Sequence, residues 1–474
     1  MRSFWQLWIL AFAALVAGCS GGSNGGSLGA GTGGSSGGTA ATCSLRERQN
    51  WASATLNEWY LFPETLPASL DPAPYATVDA YIDALTATAR GQRRDRFFTF
   101  ITSIAEENAF INSGSSAGLG IRLSTDTAAR RVFVIEAFEG TAALAAGIDR
   151  GTEILAIGTT SAALRPVSDI IAADPDFGIT DALGPTTAGT TRTLQITDAG
   201  GPRVVTVTKT DYTLTPVSAR YGSKIIDDGG RRVGYINLRT FIQTADTPLR
   251  NAIGQFRAAG ITNIIVDFRY NGGGLLSTAD LMGDLLGGNR STLEIFAQET
   301  YRPEKAANNS VKRFAPTAQS ASPVRLAFIG TDATASASEL VINGFTPFFG
   351  ANSALIGTNT FGKPVGQIAV DRAVCDDRLR VVAFAAQNGA GQANYFDGLA
   401  GAVGASCRAT DDFTKPLGDP QEASVRQALD YLAGQSCVAI PVGGQTGQSV
   451  ALRGPQLLRP AAPTVAQREV PGLF

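Results

Sequence analysis

Apolar positions change period three times along the chain, and each change predicts a different kind of structure. From Leu45 to Tyr60 they recur at helical spacing, with Trp51, Leu56, Trp59 and Tyr60 on one stripe, and Pro63 and Pro67 stop the run. A second helix is predicted from about Thr77 to Arg90, and Phe97, Phe98 and Phe100 then mark a packed edge. This is a small helical subdomain, residues 43–105. From Asn108 to Tyr212 the period shortens. Val132–Ile135 and Glu153–Ile157 read as strands, and Thr141–Gly147 as a short Ala-rich helix closed by glycine. Thr191–Ile196 and Val204–Lys209 read as a strand pair around the turn Ala199-Gly200-Gly201-Pro202. Residues 106–213 are accordingly a second unit.

From Val233 onward strands and helices alternate. The strands are Val233–Leu238, Asn263–Arg269, Val324–Gly330, Ala354–Gly357, Val365–Val370 and Leu379–Ala385. Between them fall helices from Asp246 or Thr247 to Ala259, with Pro248 in the first turn, from Ser277 to Leu286, and from Ser336. Ala423–Gly434 is one more helix. Alternation of this kind predicts an α/β core with a mostly parallel sheet, residues 214–437. Residues 438–474 are rich in Pro, Gly and Gln and read as an extended or poorly ordered tail.

The amino terminus changes the picture of where the chain works. Arg2 precedes an apolar run from Phe4 to Val16, broken by Gln6. A membrane span needs about 20 apolar residues, so this shorter run reads as a signal-peptide core, residues 1–18. It ends in Val16-Ala17-Gly18-Cys19, which resembles a bacterial lipobox and implies cleavage before Cys19 and lipid on its thiol. Ser20 follows where an Asp would imply retention in the inner membrane, so the resemblance points to the outer membrane, facing the periplasm or the cell surface. Residues 19–42, nearly all Gly, Ser, Ala and Thr beyond the cysteine, bury too little surface to fold and form a tether. No later apolar stretch is long enough to cross a membrane.

Charge excludes one class of partner. With 39 basic and 41 acidic residues, a net charge of −2 and no basic stripe, nucleic-acid binding has no support. Cys43, Cys375, Cys407 and Cys437 remain beside Cys19, an even set that outside the cytoplasm implies two disulfides. Of the three possible connectivities, we expect Cys375 with Cys407 and Cys43 with Cys437. The chain has 0 histidines, which removes the Ser-His-Asp triad, the Cys-His dyad and every His-ligated metal. A nucleophile here needs another base.

Three segments carry candidate chemistry. Thr334-Ala335-Ser336-Ala337-Ser338-Glu339 follows a predicted strand and opens a helix. Ser336 and Glu339 fit a Ser-x-x-Glu capping box, which is the plain structural reading. The same turn also exposes a serine at a helix N-terminus, where developing negative charge is stabilised. Serine needs a base to become a nucleophile. Lys363, in Thr360-Phe361-Gly362-Lys363-Pro364-Val365-Gly366-Gln367, becomes one if burial beside Phe361 and Val365 lowers its pKa, with Gln367 orienting the amine. Read alone, without the neighbouring motifs, Lys363 is a solvated surface charge. Finally, Asp267-Phe268-Arg269-Tyr270-Asn271-Gly272-Gly273-Gly274 places glycines after a buried strand, where backbone N–H groups can approach a substrate oxygen.

Together these segments resemble the C-terminal processing peptidases, or tail-specific proteases, from the region of Trp51 to Leu432. The resemblance implies a crotonase-like (ClpP/crotonase) α/β peptidase core with an inserted PDZ domain, and a serine endopeptidase that needs no metal or organic cofactor. It implies Ser336 as nucleophile, Lys363 as general base, Gln367 beside it, and an oxyanion hole from the N–H groups of Gly273 and Ala337. The PDZ part rests on Gly118-Leu119-Gly120-Ile121 and on Ala146-Gly147-Ile148 followed by Gly151 and Ile154-Leu155-Ala156-Ile157. In PDZ domains the first of these motifs holds a peptide's terminal carboxylate while the peptide adds to a sheet edge. The implied partners are protein or peptide substrates.

Two departures bear on the site. The Ser336-to-Lys363 separation of 27 residues is slightly longer than the family's, and spacing alone would select Ser338. The ungapped Ala-Ser-Glu flank selects Ser336, leaving the extra residues to a loop from Phe345 to Ser353 with Pro347 and Gly350. Gly272 stands where a proline is common in the family. A catalytically silent PDZ-type peptide-binding lipoprotein is the main alternative, favoured if Lys363 lies exposed and far from Ser336; an esterase is a second.

Overall fold

The structure, a computed structural model, describes residues 43–442 and 455–474; the signal segment, Cys19 and the tether lie outside them. Helix α1 (Leu45–Trp59) starts where the Ser44 side chain accepts the Glu47 N–H. The second predicted helix is interrupted. Thr77 caps α2 (Val78–Leu85), Thr86 breaks the run, and α3 (Ala87–Gly91) follows. Their apolar stripe, with Leu56, Tyr60, Tyr81 and Ile82, packs on Val365, Leu379, Val381 and Val382. Strand β1 (Phe100–Ser103) joins that surface, and α4 (Ile104–Ser113) leads away from it.

The next unit is an antiparallel sheet with short helices over it. Its strands are β2 (Ser115–Gly118), β3 (Ile121–Asp126), β4 (Arg131–Ala137), β5 (Glu153–Gly158), β6 (Arg165–Pro166), β7 (Thr191–Thr197), β8 (Arg203–Thr208) and β9 (Thr210–Thr213). Helices α5 (Ala142–Ala145), α6 (Val167–Ala173) and α7 (Gly178–Leu183) accompany them. β3, β4, β5, β7 and β8 lie in that order, while β2 pairs β9 at the unit's entry and exit. Leu119, Ile121, Leu123, Val134, Ile154 and Leu194 form its core.

The remaining chain builds two further sheets. β10 (Ser223–Asp228), β11 (Arg231–Asn237), β12 (Asn263–Asp267), β15 (Arg325–Gly330), β16 (Ser353–Gly357) and β19 (Ala405–Arg408) form one, parallel except at the β10 edge. Apolar runs such as Ile264-Ile265-Val266 are what a strand buried on both faces requires. One face is covered by α8 (Asp246–Ala258), α9 (Leu276–Leu286) and α10 (Ala337–Phe349), the other by α11 (Ala423–Leu432). Pro248 lies in the first turn of α8, although Ala245 is the N-cap and no side chain caps it.

The second sheet is antiparallel, and it corrects the expectation that later strands extend the parallel one. β17 (Val365–Arg372) and β18 (Asp377–Asn388) pair with each other, and β18 also pairs β1 and β13 (Ile295–Tyr301), which pairs β14 (Ser310–Arg313). The helical subdomain and the Lys363 segment therefore share one sheet.

Three further expectations are corrected. The disulfides are Cys43–Cys375 and Cys407–Cys437, with Cα separations of 5.5 and 5.4 Å. The β17–β18 turn brings Cys375 to the start of α1, and the chain after α11 returns Cys437 to β19. Phe345–Phe349 is helical despite Pro347, because Phe345 and Phe349 pack edge to face 5.7 Å apart and Phe345 packs on Phe314 and Phe328; this burial outweighs one lost backbone donor. The tail is not merely extended. β20 (Gln456–Leu457) pairs β3, and α12 (Val465–Glu469) is capped reciprocally by Thr464 and Gln467. No helix among the described residues is long and apolar enough to cross a membrane.

Candidate active site

Strand β15 delivers the chain to the loop before α10, and neighbouring strand β12 delivers the glycine loop. Two bonds tie the loops together. Thr334 Oγ1 donates to the Phe268 carbonyl at 2.7 Å, and the Ala335 N–H donates to the Asn271 carbonyl at 3.0 Å. Ser336 stands at the turn between them with φ 55° and ψ −114°. A non-glycine residue with positive φ is costly and persists only where its surroundings over-determine it. Ser336 is partly accessible, whereas Ser338 is fully buried in the helix with its hydroxyl donating to the Asn271 carbonyl at 3.2 Å.

Gly273 packs directly on this turn. A Cβ at that position would lie 2.8 Å from the Ser336 Cβ and 3.2 Å from the Ala337 nitrogen, so only glycine fits. Its own N–H, however, donates to Asn271 Oδ1 at 2.9 Å. The neighbouring Gly272 N–H instead donates to the Glu469 carbonyl of the tail at 3.1 Å. Asn271 is fixed in turn by a 2.8 Å bond from its Nδ2 to the Leu238 carbonyl.

Lys363 arrives just before β17 and is half-buried. Its Nζ donates to Gln367 Oε1 at 2.6 Å and lies 5.1 Å from the centre of the Phe98 ring. The Gln367 amide donates in turn to the Phe98 carbonyl, which ties the base segment to the helical subdomain. Burial is the largest influence on the Lys363 amine and lowers its pKa from the ordinary lysine value; Glu469 and Asp95 act in the opposite direction.

Glu339 joins the two halves. Its Oε2 accepts from the Ser336 N–H at 3.1 Å and the Lys363 N–H at 2.8 Å. Its Oε1 accepts from the Gly362 N–H at 2.7 Å and the Thr360 hydroxyl at 2.6 Å. The carboxylate is fully buried, and that burial pushes its pKa up against these four donors. A capping pattern gives sight of only one of those bonds; the other three cross to a segment more than 20 residues away. Phe98 and the tail residue Glu469 are further neighbours that no spacing signals.

A cavity of about 220 Å³ adjoins the glycine loop and the first turn of α10, lined by Leu276, Asp280, Glu299, Lys312, Leu340 and Phe384. Burial pushes Asp280 up to about 7 there. In the antiparallel unit, the Gly120 and Ile121 N–H groups point at one oxygen, that of Phe474, at 2.8 and 3.1 Å. Gly118 lies against the Phe474 carbonyl carbon, where a Cβ would come within 2.8 Å, and Leu119 is buried in the unit's core. No cluster of three or more metal-ligating side chains occurs among the described residues.

Residues 232–395, which hold the serine, the lysine and the glycine loop, match the model of peptidase family S41. The resemblance to the C-terminal processing peptidases, drawn above from motifs, is matched by curated relatives. The chain is 27% identical over 255 residues to a carboxyl-terminal-processing protease of Picosynechococcus, covering 53% of this chain and 55% of that one. It is 26% identical over 267 residues to the chloroplastic C-terminal processing peptidase of Tetradesmus obliquus, covering 55% and 54%. The chain thus matches about half the length of these relatives. In fold, it superposes on a Bacteroides fragilis S41 protease candidate with a TM-score of 0.60 at 22% identity, over 81% of this chain and 97% of that one.

Proposed function

We propose that this chain is a serine endopeptidase with a Ser336–Lys363 dyad, in which a PDZ-type unit on a crotonase-like core presents substrate C-termini. The observation that carries the reading is the shared carboxylate of Glu339, which accepts from the backbone of both Ser336 and Lys363. It supports a single site built from two segments that have no reason to meet if each is merely a cap and a surface charge. The alternative of a silent peptide-binding lipoprotein needed Lys363 exposed and remote; a half-buried amine with a lowered pKa favours catalysis.

In this mechanism the neutral Lys363 amine takes the proton of Ser336 Oγ as that oxygen attacks a substrate carbonyl. Gln367 holds Nζ in place. The Ala337 N–H, at the start of α10, stabilises the oxyanion, with Gly273 as the second donor once Asn271 Oδ1 releases its N–H. The protonated amine returns its proton to the leaving nitrogen. Water then hydrolyses the acyl-enzyme, with Lys363 again as base.

Gly118, Leu119, Gly120 and Ile121 form the proposed carboxylate loop, and the convergent N–H groups of Gly120 and Ile121 support that role. An extracytoplasmic location is supported by the two disulfides, which persist in oxidising compartments, while the lipid anchor at Cys19 rests on the lipobox resemblance. The test is cleavage of a folded substrate by the wild-type, Ser336→Ala, Ser338→Ala and Lys363→Ala chains. Loss in the first and third variants alone is expected; full activity of Ser336→Ala or Lys363→Ala removes the dyad.

A further inference from the structure

The tail packs back onto the antiparallel unit. After the α12 cap, Val470 and Leu473 are buried among Phe110, Phe138, Tyr212 and Ile242, and Phe474 is buried with Leu119, Ile121 and Leu123. Residues 472–474 add to β3 as an antiparallel strand. The Leu123 N–H donates to the Gly472 carbonyl, and the Phe474 N–H donates to the Ile121 carbonyl, each at 2.8 Å. The Gly120 and Ile121 N–H groups hold the Phe474 oxygen. Gln467 Nε2 braces the turn by donating to the Leu473 carbonyl at 2.9 Å. Gly472 is fixed by geometry: at φ 84° a Cβ would lie 2.9 Å from the Arg122 side chain and 3.1 Å from the Leu123 carbonyl. Five residues before Phe474, the Glu469 carbonyl accepts from Gly272 in the catalytic loop. One short segment thus fills the peptide groove at one end and touches the catalytic loop at the other.

We propose that residues 465–474 are a built-in occupant of both places, competing in cis with substrate polypeptides. The ligand class is defined by what sits there: an extended peptide carrying Leu-Phe at the Gly120–Ile121 turn, bound by strand addition and by burial of the Phe side chain. The proposal rests on the peptidase reading for what is blocked, but occupancy of the groove is a binding event measurable without catalysis. An electrostatic consequence follows. The groups acting on the Lys363 amine are Glu469, Asp95 and Glu339, which favour its charged form, and Arg380, which disfavours it. While the segment is seated, Glu469 favours the charged amine; when it leaves, the amine loses that support.

The experiment uses the full chain and a fluorescent Val-Pro-Gly-Leu-Phe peptide with a free carboxylate, its amide as control. A cis occupant acts at millimolar effective concentration, so Phe474→Asp is expected to tighten probe binding by about tenfold or more. Leu473→Asp, a second route to the open groove, should do the same, and the conservative Phe474→Leu should stay masked. With a peptide substrate, Phe474→Asp should lower KM and move the acidic limb of the pH–rate profile to lower pH. Equal probe affinity in wild type and in both Asp variants, each shown folded by circular dichroism, overturns the inference. Cleavage with unchanged probe binding likewise refutes it while leaving the peptidase reading intact. Unmasked probe binding with no cleavage does the reverse.

Discussion

Two buried cations in this molecule are treated in opposite ways. Arg269, fully buried at the end of β12, is surrounded by carboxylates: Asp267 at 2.7 Å, Glu422 at 2.9 Å and Asp411 at 3.0 Å. Burial opposes its charge, but those three anions hold its pKa well above the ordinary value. The Lys363 amine is paired instead with the neutral amide oxygen of Gln367, and its pKa falls. The Glu339 carboxylate, from the start of α10, is taken up by the N–H groups of Ser336, Gly362 and Lys363 and by the Thr360 hydroxyl. The lesson is that burial alone does not make a base. One cation is ringed by anions, which keeps its charge; the other is left to a neutral amide, which eases loss of its proton.

The largest effect that can break this comparison is loss of the nucleophile. Ser336→Ala should lower kcat by roughly 10⁴-fold or more, measured on a peptide substrate, with the fold unchanged. Lys363→Ala should cost roughly 10²–10⁴-fold for lack of the base. Ser338→Ala, which removes one buried hydroxyl bond, should act on stability and leave kcat near wild type.

Arg269→Met tests the other side. It leaves Asp267 and Glu422 without their buried cation and Asp411 with Arg150 alone, and should destabilise the fold by about 3–5 kcal/mol in denaturant unfolding. Arg150 also binds Asp411, from the β4–β5 connection, so the same unfolding should loosen the antiparallel unit from the core.

The two regions also predict stability changes in separate pH windows. Against burial, which pushes it up, Arg150 and Arg269 hold Asp411 down at about 2. Its stabilising contribution is complete above the ordinary aspartate value of 3.8 and is lost as pH falls through about 2. Lys363 follows the same sign in a higher window, as a cost relieved rather than a contribution gained. Between its lowered folded pKa and the ordinary lysine value, the unfolded chain binds the extra proton, so this group makes the fold more stable as pH rises. Its neutral form is the base, so the rate should climb with pH through the folded pKa, ahead of the ordinary lysine range. The smallest effect expected is that of Glu469→Gln, which removes an anion beside Lys363 and should shift that climb to lower pH.

Much of the core was legible because buried parallel strands write themselves as apolar runs. Asn263–Asp267 and Arg325–Gly330 fall within the predicted strands by this signal alone. β13 and β14 were not legible, since strands that are partly exposed carry no continuous apolar run. Pro347 misled for a local reason: the aromatic cluster around Phe345 overrides one missing donor. The tail misled for a tertiary one, because its backbone partners lie in β3 and in the Gly272 loop, hundreds of residues away. The candidate site was readable as residue types, Ser336, Lys363 and Gln367, but the role of Glu339 needed the fold, since three of its four donors come from the other segment.

The central claim is that Lys363 activates Ser336. Its most direct test is reaction of the wild-type and Lys363→Ala chains with a fluorophosphonate, followed by peptide mapping. The account predicts one adduct, on Ser336, that forms in wild type and is nearly absent in Lys363→Ala. An adduct on Ser338, or undiminished labelling of Ser336 without the lysine, would contradict it.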